Sequence, residues 1–308
     1  MTQEEFIMRC MTSSDGEVNE NIKADINAMH RDGATQLIIA VMMNRADLVE
    51  ELIGLGEDVN VKSGSGHNAL AYAAMKEAKS MKGGITVSSC NPEIITLLVR
   101  AGADYSEAMM VAINTGCDSF AKTAIEAGID VNITDEENRS FVMYSVMSGG
   151  GILRTLLEGG ADPDVPDKKG RTPLMIAAID DEADPQVMDT LLEFGADVNK
   201  PDRKGITPLM WAVINADKTP DPVMPALIRT GGLRAEGWQT WCALLVLHSA
   251  AKRELQLDTV RRLIREGADV NAVDKRGMNA MMYALMNGDD EAADILAEAG
   301  AAINFDMT

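Results

Sequence analysis

The chain has 308 residues, of which 46% are hydrophobic and 25% charged, with 28 Lys plus Arg against 48 Asp plus Glu. That much apolar material can build a folded core and argues against wholesale disorder. The resulting formal charge of -20 repels the phosphates of nucleic acids and anionic lipid headgroups, so neither nucleic acid nor membrane is expected as a partner.

The N-terminal segment carries acidic residues where a secretory signal would carry basic ones, and no apolar run approaches the roughly 18 residues of a membrane span. We therefore expect a cytoplasmic protein. Its four cysteines and three histidines are scattered along the chain without a Cys-x-x-Cys pair. This pattern favours reduced thiols and predicts neither a metal site nor a cofactor.

A short signal of the type Gly-Ala-Asp-Val-Asn recurs along the chain, in copies that begin at Gly56, Gly128, Gly160, Gly195, Gly267 and Gly300. Twelve residues after the glycine, five units carry a second signal of the type Thr-Pro-Leu-Met, at Asn68, Ser140, Thr172, Thr207 and Asn279. In units without an insertion, 21 further residues lead to the next glycine, as from Thr35 to Gly56. The sequence therefore repeats with a period of 33 residues.

Each unit predicts a helical hairpin followed by a turn. The hydroxyl of Thr172 can cap a first helix, and Pro173 stands at the first helical position, where its missing N–H is harmless. A second apolar helix follows near Val187, and Gly195 can adopt the left-handed conformation that ends it. Residues 202–205 then form a tight β-turn, here called a finger. The fold class predicted is an all-α array of helical hairpins with β-turn fingers.

These units resemble ankyrin repeats, whose Thr-Pro-Leu-His and Gly-Ala-Asp-Val-Asn signatures are matched closely at 170–199 and 205–232. The resemblance covers nearly the whole chain and implies a curved ankyrin-repeat solenoid without a separate catalytic domain. We expect a partial unit, 2–27, within an N-terminal capping segment, 1–32. Eight repeats are expected over 33–304, the last of them a C-terminal cap: 33–60, 66–104, 105–132, 138–164, 170–199, 205–232, 237–271 and 277–304.

The units depart from the family pattern in three ways. Apolar residues such as Met175 and Met210 replace the family histidine, so apolar packing is expected to offset the lost hydrogen bonds. Repeat 66–104 carries an insertion at 76–92, interpreted as a surface loop between its two helices, with or without a function of its own. Too few residues follow Gly102 for a full finger, so the row of fingers is expected to have a notch there.

Two features could suggest enzyme chemistry. The glycine run 149–151 lacks the Gly-Lys-Ser/Thr ending of a phosphate loop, so we interpret it as the turn between two helices. Acidic clusters at 180–184 and 289–291 stand where second helices begin, and negative charge is favourable there. We therefore expect helix caps at these clusters and no catalytic residue.

The resemblance implies that binding takes place on the concave side, which the finger tips and first helices form. Three predicted tips are basic on this acidic chain, and Trp238 is expected on a finger or at the mouth of a helix beside them. The candidate partner-binding residues are Lys168, Lys169, Arg203, Lys204, Trp238, Lys275 and Arg276. Because neighbouring repeats stack about 8 to 10 Å apart, 168–169 and 203–204 are predicted to form a contiguous positive ridge. The alternative, that these are ordinary turn sequences of the family, stays open.

The sequence thus favours a non-enzymatic, monomeric protein-interaction module, either a scaffold or an inhibitor, that binds an acidic segment of a protein partner. Two alternatives stay open. One is an acidic decoy that blocks a basic nucleic-acid-binding protein, and the other is a small-molecule sensor that uses the insertion or the acidic clusters.

Overall fold

The structure is a computed structural model that describes residues 5, 6, 10, 33–75, 90–179, 184–214 and 253–302. Its contacts divide the chain into two compact units, of which the first comprises 1–134 with 140–162 and the second comprises 135–139 with 163–308. Both units are built from short paired helices, and the described residues contain no β-strand apart from a single bridge between Thr134 and Ser140.

In the first unit, the described helices form hairpins that follow one another along the chain. The hairpins are α1 Gln36–Met42 with α2 Ala46–Gly54, α3 Ala69–Ala74 with α4 Pro92–Arg100, α5 Ser106–Thr115 with α6 Asp118–Glu126, and α7 Phe141–Met147 with α8 Leu153–Glu158. The first helices α1, α3, α5 and α7 contact one another in that order, and so do the second helices α2, α4, α6 and α8. Each hairpin therefore buries its apolar sides against its neighbours.

The second unit is stacked in the same way. Its described helices are α9 Pro173–Ile179, α10 Pro185–Glu193, α11 Pro208–Ile214, α12 over 253–265, α13 Ala280–Asn287 and α14 Asp290–Glu298. Helix α9 contacts α10 and α11, and α13 contacts α14. Helix α12 lies beside α10. The guanidinium of Arg262 on α12 pairs with Asp189 at 3.0 Å and donates to the Pro185 carbonyl at 2.8 Å.

The first helices begin at the capping residues that the sequence predicts. The hydroxyl of Thr172 accepts a hydrogen bond from the Met175 amide at 3.3 Å, and the side chain of Asn279 accepts one from the Met282 amide at 3.0 Å. Equivalent caps are present at Thr35, Asn68, Ser140 and Thr207. Each such cap typically contributes about 1 kcal/mol relative to alanine.

The position of the family histidine lies inside the stack. The side chains in this position are at most 1% exposed at Ile38, Ala71, Met143, Met175 and Met210. Burial of a methionine contributes roughly 1.5 to 3 kcal/mol, which exceeds the contribution of about 1 kcal/mol from a net hydrogen bond. Apolar packing thus accounts for the absence of the histidine.

In four repeats the asparagine of the Gly-Ala-Asp-Val-Asn signal links its repeat to the next one in the stack. The Asn60 amide group donates to the Gly102 carbonyl at 3.2 Å, and its oxygen accepts from the Asp104 amide at 2.7 Å. The same pair of bonds joins Asn132 to 160 and 162, Asn199 to 267 and 269, and Asn271 to 300 and 302. We call this pair of bonds the asparagine bracket.

Two further sequence features lie where the pattern predicts them. Helix α3 ends at Ala74 and α4 begins at Pro92, so the insertion lies between the two helices of one hairpin. Its residues 76–89 lie outside the described residues. Helix α5 begins at Ser106, only four residues after Gly102, which leaves no room for a finger between them.

The stack follows a different order near residue 205 from the one that the sequence predicts. The Asn199 bracket reaches forward to residues 267 and 269. The Lys275 amide donates to the Lys204 carbonyl at 2.9 Å, and α11 contacts α13 directly. In addition, the side chain of Gln256 on α12 donates to the Ala212 carbonyl on α11 at 2.6 Å.

This order differs from the one expected of two successive repeats at 205–232 and 237–271. The physical reason is that α11 and α13 bury their apolar faces directly against each other. Among the described residues, α11 and α12 are joined by the Gln256 bond, as the two helices of one level would be, and the bounds of these two repeats stay predictions. Residues 215–252 lie outside the described residues, and the other repeat boundaries stay predictions.

Candidate partner-binding surface

Each basic finger tip is a tight turn closed by a buried aspartate. The side chain of Asp202, which is 8% exposed, accepts hydrogen bonds from the Lys204 amide at 2.7 Å and the Ile206 amide at 2.9 Å. Gly205 has a φ of +86°, and a Cβ added there would lie 3.0 Å from the Lys275 nitrogen. Glycine therefore serves both the turn and the approach of the next finger.

The Asp167 turn has the same bonds and an additional arginine. Its carboxylate accepts from the Lys169 and Arg171 amides at 2.8 and 2.9 Å, and the Arg171 guanidinium lies 2.7 Å away. Burial alone would raise the pKa of Asp167, but these hydrogen bonds outweigh it and the pKa falls below its usual value. The carboxylate therefore stays ionised and is turned inward.

The Asp274 turn is closed by a tyrosine in place of that arginine. Burial raises the pKa of Asp274, but hydrogen bonds from the Met278 amide, the Tyr283 hydroxyl and Arg276 lower it further than burial raises it. The Tyr283 hydroxyl donates to Asp274 at 2.7 Å, and burial together with this bond raises the pKa of Tyr283. The tyrosine therefore remains a hydrogen-bond donor over the physiological pH range.

Backbone hydrogen bonds join successive tips edge to edge. The Lys168 amide donates to the Glu137 carbonyl at 2.9 Å, the Arg203 amide to the Lys169 carbonyl at 3.2 Å, and the Lys275 amide to the Lys204 carbonyl at 2.9 Å. The structure thus brings six of the seven predicted residues into one row. We call this row the basic ridge: Lys168, Lys169, Arg203, Lys204, Lys275 and Arg276, all exposed.

The two ends of the basic ridge are paired within the protein. Lys168 lies 3.4 Å from the carboxylate of Glu137. Arg276 lies 3.1 Å from Asp274, bonds to the Tyr283 hydroxyl and stands 5.6 Å above the ring of that tyrosine. The cations between these ends, Lys169, Arg203, Lys204 and Lys275, have no ion pair among the described residues.

Beneath the tips runs a row of first-helix side chains that sequence reasoning missed. Tyr283 is the fourth residue after the cap of α13, and Ile176 and Trp211 occupy the same place in α9 and α11. Trp211 is only half-buried, and its indole N–H has no partner among the described residues. The equal spacing from each cap was the signal that could have identified Tyr283. The other predicted aromatic residue, Trp238, lies outside the described residues.

The first unit has a different tip beside its notch. Lys62 lies 3.2 Å from Glu107 at the start of α5, and His67 lies 2.5 Å from the other oxygen of that carboxylate. The Tyr72 hydroxyl is hydrogen-bonded to Ser63 and Ser65. Glu107 therefore neutralises the basic residue of this tip, and the tip does not resemble the basic ridge.

In the two acidic clusters of the sequence, the described aspartates that precede a helix act as helix caps. Asp184 and Asp289 cap α10 and α14, accepting from the Gln186 and Ala292 amides at 2.9 and 3.1 Å. The described part of the chain holds no group of three or more potential metal ligands. Nor does it hold a helix long and apolar enough to cross a lipid bilayer.

A family model for ankyrin repeats matches the chain in three copies, over residues 84–167, 142–231 and 223–307. The chain belongs to the ankyrin-repeat family. Ankyrin repeats are typical protein–protein interaction modules, and the ankyrin fold accounts for the stacked hairpins of both units.

Several ankyrin-repeat relatives match about half of the chain. The nuclear factor NF-kappa-B p105 subunit of Gallus gallus is 28% identical over 47% of this chain, and the neurogenic locus notch homolog protein 1 of Xenopus tropicalis is 31% identical over 49%. These matches span only 15% and 6% of those two proteins. The putative ankyrin repeat protein YahD of Escherichia coli is 26% identical over 50% of this chain and 77% of its own length.

Among solved structures, the ankyrin repeat domain of Bcl-3, a member of the IkappaB protein family, matches with a TM-score of 0.61. The match covers 86% of this chain and 99% of that domain at 22% identity, and at this identity it shows the fold alone.

Proposed function

We propose that this ankyrin-repeat protein is a non-enzymatic interaction module, a scaffold or an inhibitor, that binds an acidic segment of a protein partner through its finger tips and first helices. The observation that supports the proposal is the basic ridge. Six exposed cations stand on three hydrogen-bonded tips of a chain whose formal charge is -20. A local reversal of the sign of charge steers a partner of opposite charge to that place.

The first helices beneath the tips add an apolar component to the charged one. The half-buried Trp211 offers aromatic surface, whereas Tyr283 is only 7% exposed and lies beneath the guanidinium of Arg276. Tryptophan, tyrosine and arginine are the residues most often found at the centres of binding interfaces. An acidic segment with apolar or aromatic residues therefore fits this surface better than a purely charged one.

The test is to reverse the charges of the four ridge cations that have no ion pair within the described part of the chain. The variant K169E/R203E/K204E/K275E should lose its partner in a pull-down followed by mass spectrometry, and association measured with the purified partner should become slower and almost independent of salt. A matched control, R100E/K122E/R154E/R265E, changes the net charge equally at exposed residues outside the basic ridge.

Partners recovered by the wild type and the control but not by the ridge variant support the proposal. Identical partners with all three proteins would remove the basic ridge from the binding surface.

A second candidate function is an acidic decoy that occupies a basic nucleic-acid-binding protein. The formal charge of -20 favours it, since a strongly acidic surface attracts basic proteins. The same experiment separates the two functions. A decoy recovers basic nucleic-acid-binding proteins, and reversing the ridge cations to glutamate should strengthen their binding.

A further inference from the structure

The spacing of the basic ridge follows from its backbone bonds. Residues that are adjacent in sequence on one tip are about 3.8 Å apart at their Cα atoms. Residues hydrogen-bonded between tips, such as Lys169 with Arg203 and Lys204 with Lys275, are about 5 Å apart. One tip therefore follows the next at about 9 Å, and the ridge from Lys168 to Arg276 spans about 20 Å.

The charges on the basic ridge point outward, because the acidic partner in each turn is buried. Asp167, Asp202 and Asp274 are at most 8% exposed, and each is occupied by the amides of its own turn. A ligand therefore meets three positive tips at a regular interval.

We propose that the basic ridge binds an extended acidic segment in which every third residue is Asp or Glu. In the polyproline II conformation three residues make one turn and rise about 9.3 Å, so such residues share one face at the interval of the tips. A β-strand places residues i and i+3 on opposite faces. An α-helix places residues i+3 and i+4 on one face but only about 4.5 to 6 Å apart along its axis, so acids at every third residue of a helix would fall short of the interval of the tips. This inference rests on the proposed function and specifies the conformation and the charge pattern of the partner.

The acidic tip beside Lys168 limits the number of acidic ligand residues that the basic ridge can bind. The Glu137 carbonyl is bonded to the Lys168 amide, and Glu136 and Glu137 are exposed on that neighbouring tip. A fourth acidic residue placed on that side would meet these carboxylates. Three acids at three-residue intervals are therefore the expected complement.

Two labelled peptides of identical composition test the spacing. Acetyl-Glu-Pro-Pro-Glu-Pro-Pro-Glu-amide carries its acids at the interval of the tips, and acetyl-Glu-Pro-Glu-Pro-Glu-Pro-Pro-amide carries them at a shorter one. Both peptides favour polyproline II. By fluorescence anisotropy at low ionic strength, the first should bind about tenfold more tightly, because it engages three tips at once and the other does not. Added salt should reduce the difference.

Variants locate the effect on the protein. K204A/K275A should abolish the preference for the first peptide, whereas R261A/R265A, which removes two exposed arginines from α12, should leave it unchanged. Extending the first peptide by another Glu-Pro-Pro unit should improve its affinity by less than about twofold, because the described residues place no fourth basic tip in line with the basic ridge.

Equal affinities of the two peptides, or no binding of either at low ionic strength, would overturn the inference. The proposed function would survive that result if the natural partner still depended on the ridge cations. If the natural partner ignored those cations, the proposed function would fail regardless of what the peptides do.

Discussion

The aspartate of each finger turn determines where the cations of that turn lie. Asp167, Asp202 and Asp274 each accept two amides of their own turn, and this leaves the intervening lysines and arginines at the surface. The turns differ in their third partner. Asp167 has Arg171 and Asp274 has Tyr283, whereas Asp202 has no arginine contact among the described residues.

That difference gives a matched pair of substitutions. D167N should lower the free energy of unfolding at pH 7 by about 1 to 3 kcal/mol, because it removes a charge-assisted pair with Arg171. D202N should lower the free energy of unfolding by less, because the amide oxygen of the new asparagine can still accept the two backbone hydrogen bonds and no arginine loses a partner. Urea denaturation of both variants at pH 7 measures the difference. An equal cost for the two would contradict a special role for the arginine pair.

The pKa of Asp167 also predicts a pH dependence. Because the folded state lowers this pKa, the stabilisation is fully present above the unfolded value of about 3.9 and is lost as the pH falls through the folded value. Urea denaturation between pH 7 and pH 3 should therefore show wild type losing stability towards acid more steeply than D167N. Parallel curves for the two proteins would be inconsistent with the depressed pKa.

Repeats are joined at two places, the asparagine bracket and the finger ladder. Both connect elements that are neighbours in the stack, whatever their separation along the chain. Asn60 spans 42 residues to reach its partner, and Asn199 spans 68. The larger span favours the placement of residues 205–214 and 253–271 in one level.

An engineered disulfide tests this order directly. In a background where the four native cysteines are replaced by alanine, K204C/K275C should oxidise to a disulfide, because the backbones of the two residues are hydrogen-bonded and their Cα atoms are about 5 Å apart. If 237–271 formed a repeat of its own, the two tips would be roughly 16 to 20 Å apart and no disulfide could form. Electrophoresis under non-reducing conditions and mass spectrometry distinguish the outcomes. The control K169C/K275C, whose residues are separated by the intervening tip, should remain reduced.

At the scale of the whole molecule, the strong negative charge favours a monomer. A chain with a formal charge of -20 repels its own copies. Helix α14 contributes to this charge, since it begins with Asp290 and Glu291 exposed beside the capping Asp289.

Light scattering at micromolar concentration should therefore report a mass close to 33.1 kDa, the mass of one chain. Raising the salt concentration screens the repulsion, and the mass should remain that of a monomer if no complementary surface exists. A dimer at low salt would contradict the prediction. The ridge variant K169E/R203E/K204E/K275E would then show whether its cations hold the two copies together.

The amino-acid sequence by itself determined the class of fold, the caps of the first helices, the helix turn at the glycine run and the basic character of three tips. These features depend on residues close together in the chain, such as Thr172 with Met175 or Asp202 with Lys204, and local chemistry suffices to predict them. Only the tertiary structure decided which levels are neighbours. The Gly-Ala-Asp-Val-Asn sequence at Gly267 is the same whether the first helix of its repeat begins at 208 or nearer 240. Only the packing of α11 against α13 distinguishes these two arrangements. Only the tertiary structure, likewise, showed which cations are paired, because Glu137 and Tyr283 meet their partners through the placement of side chains around the tips and not through a repeated motif.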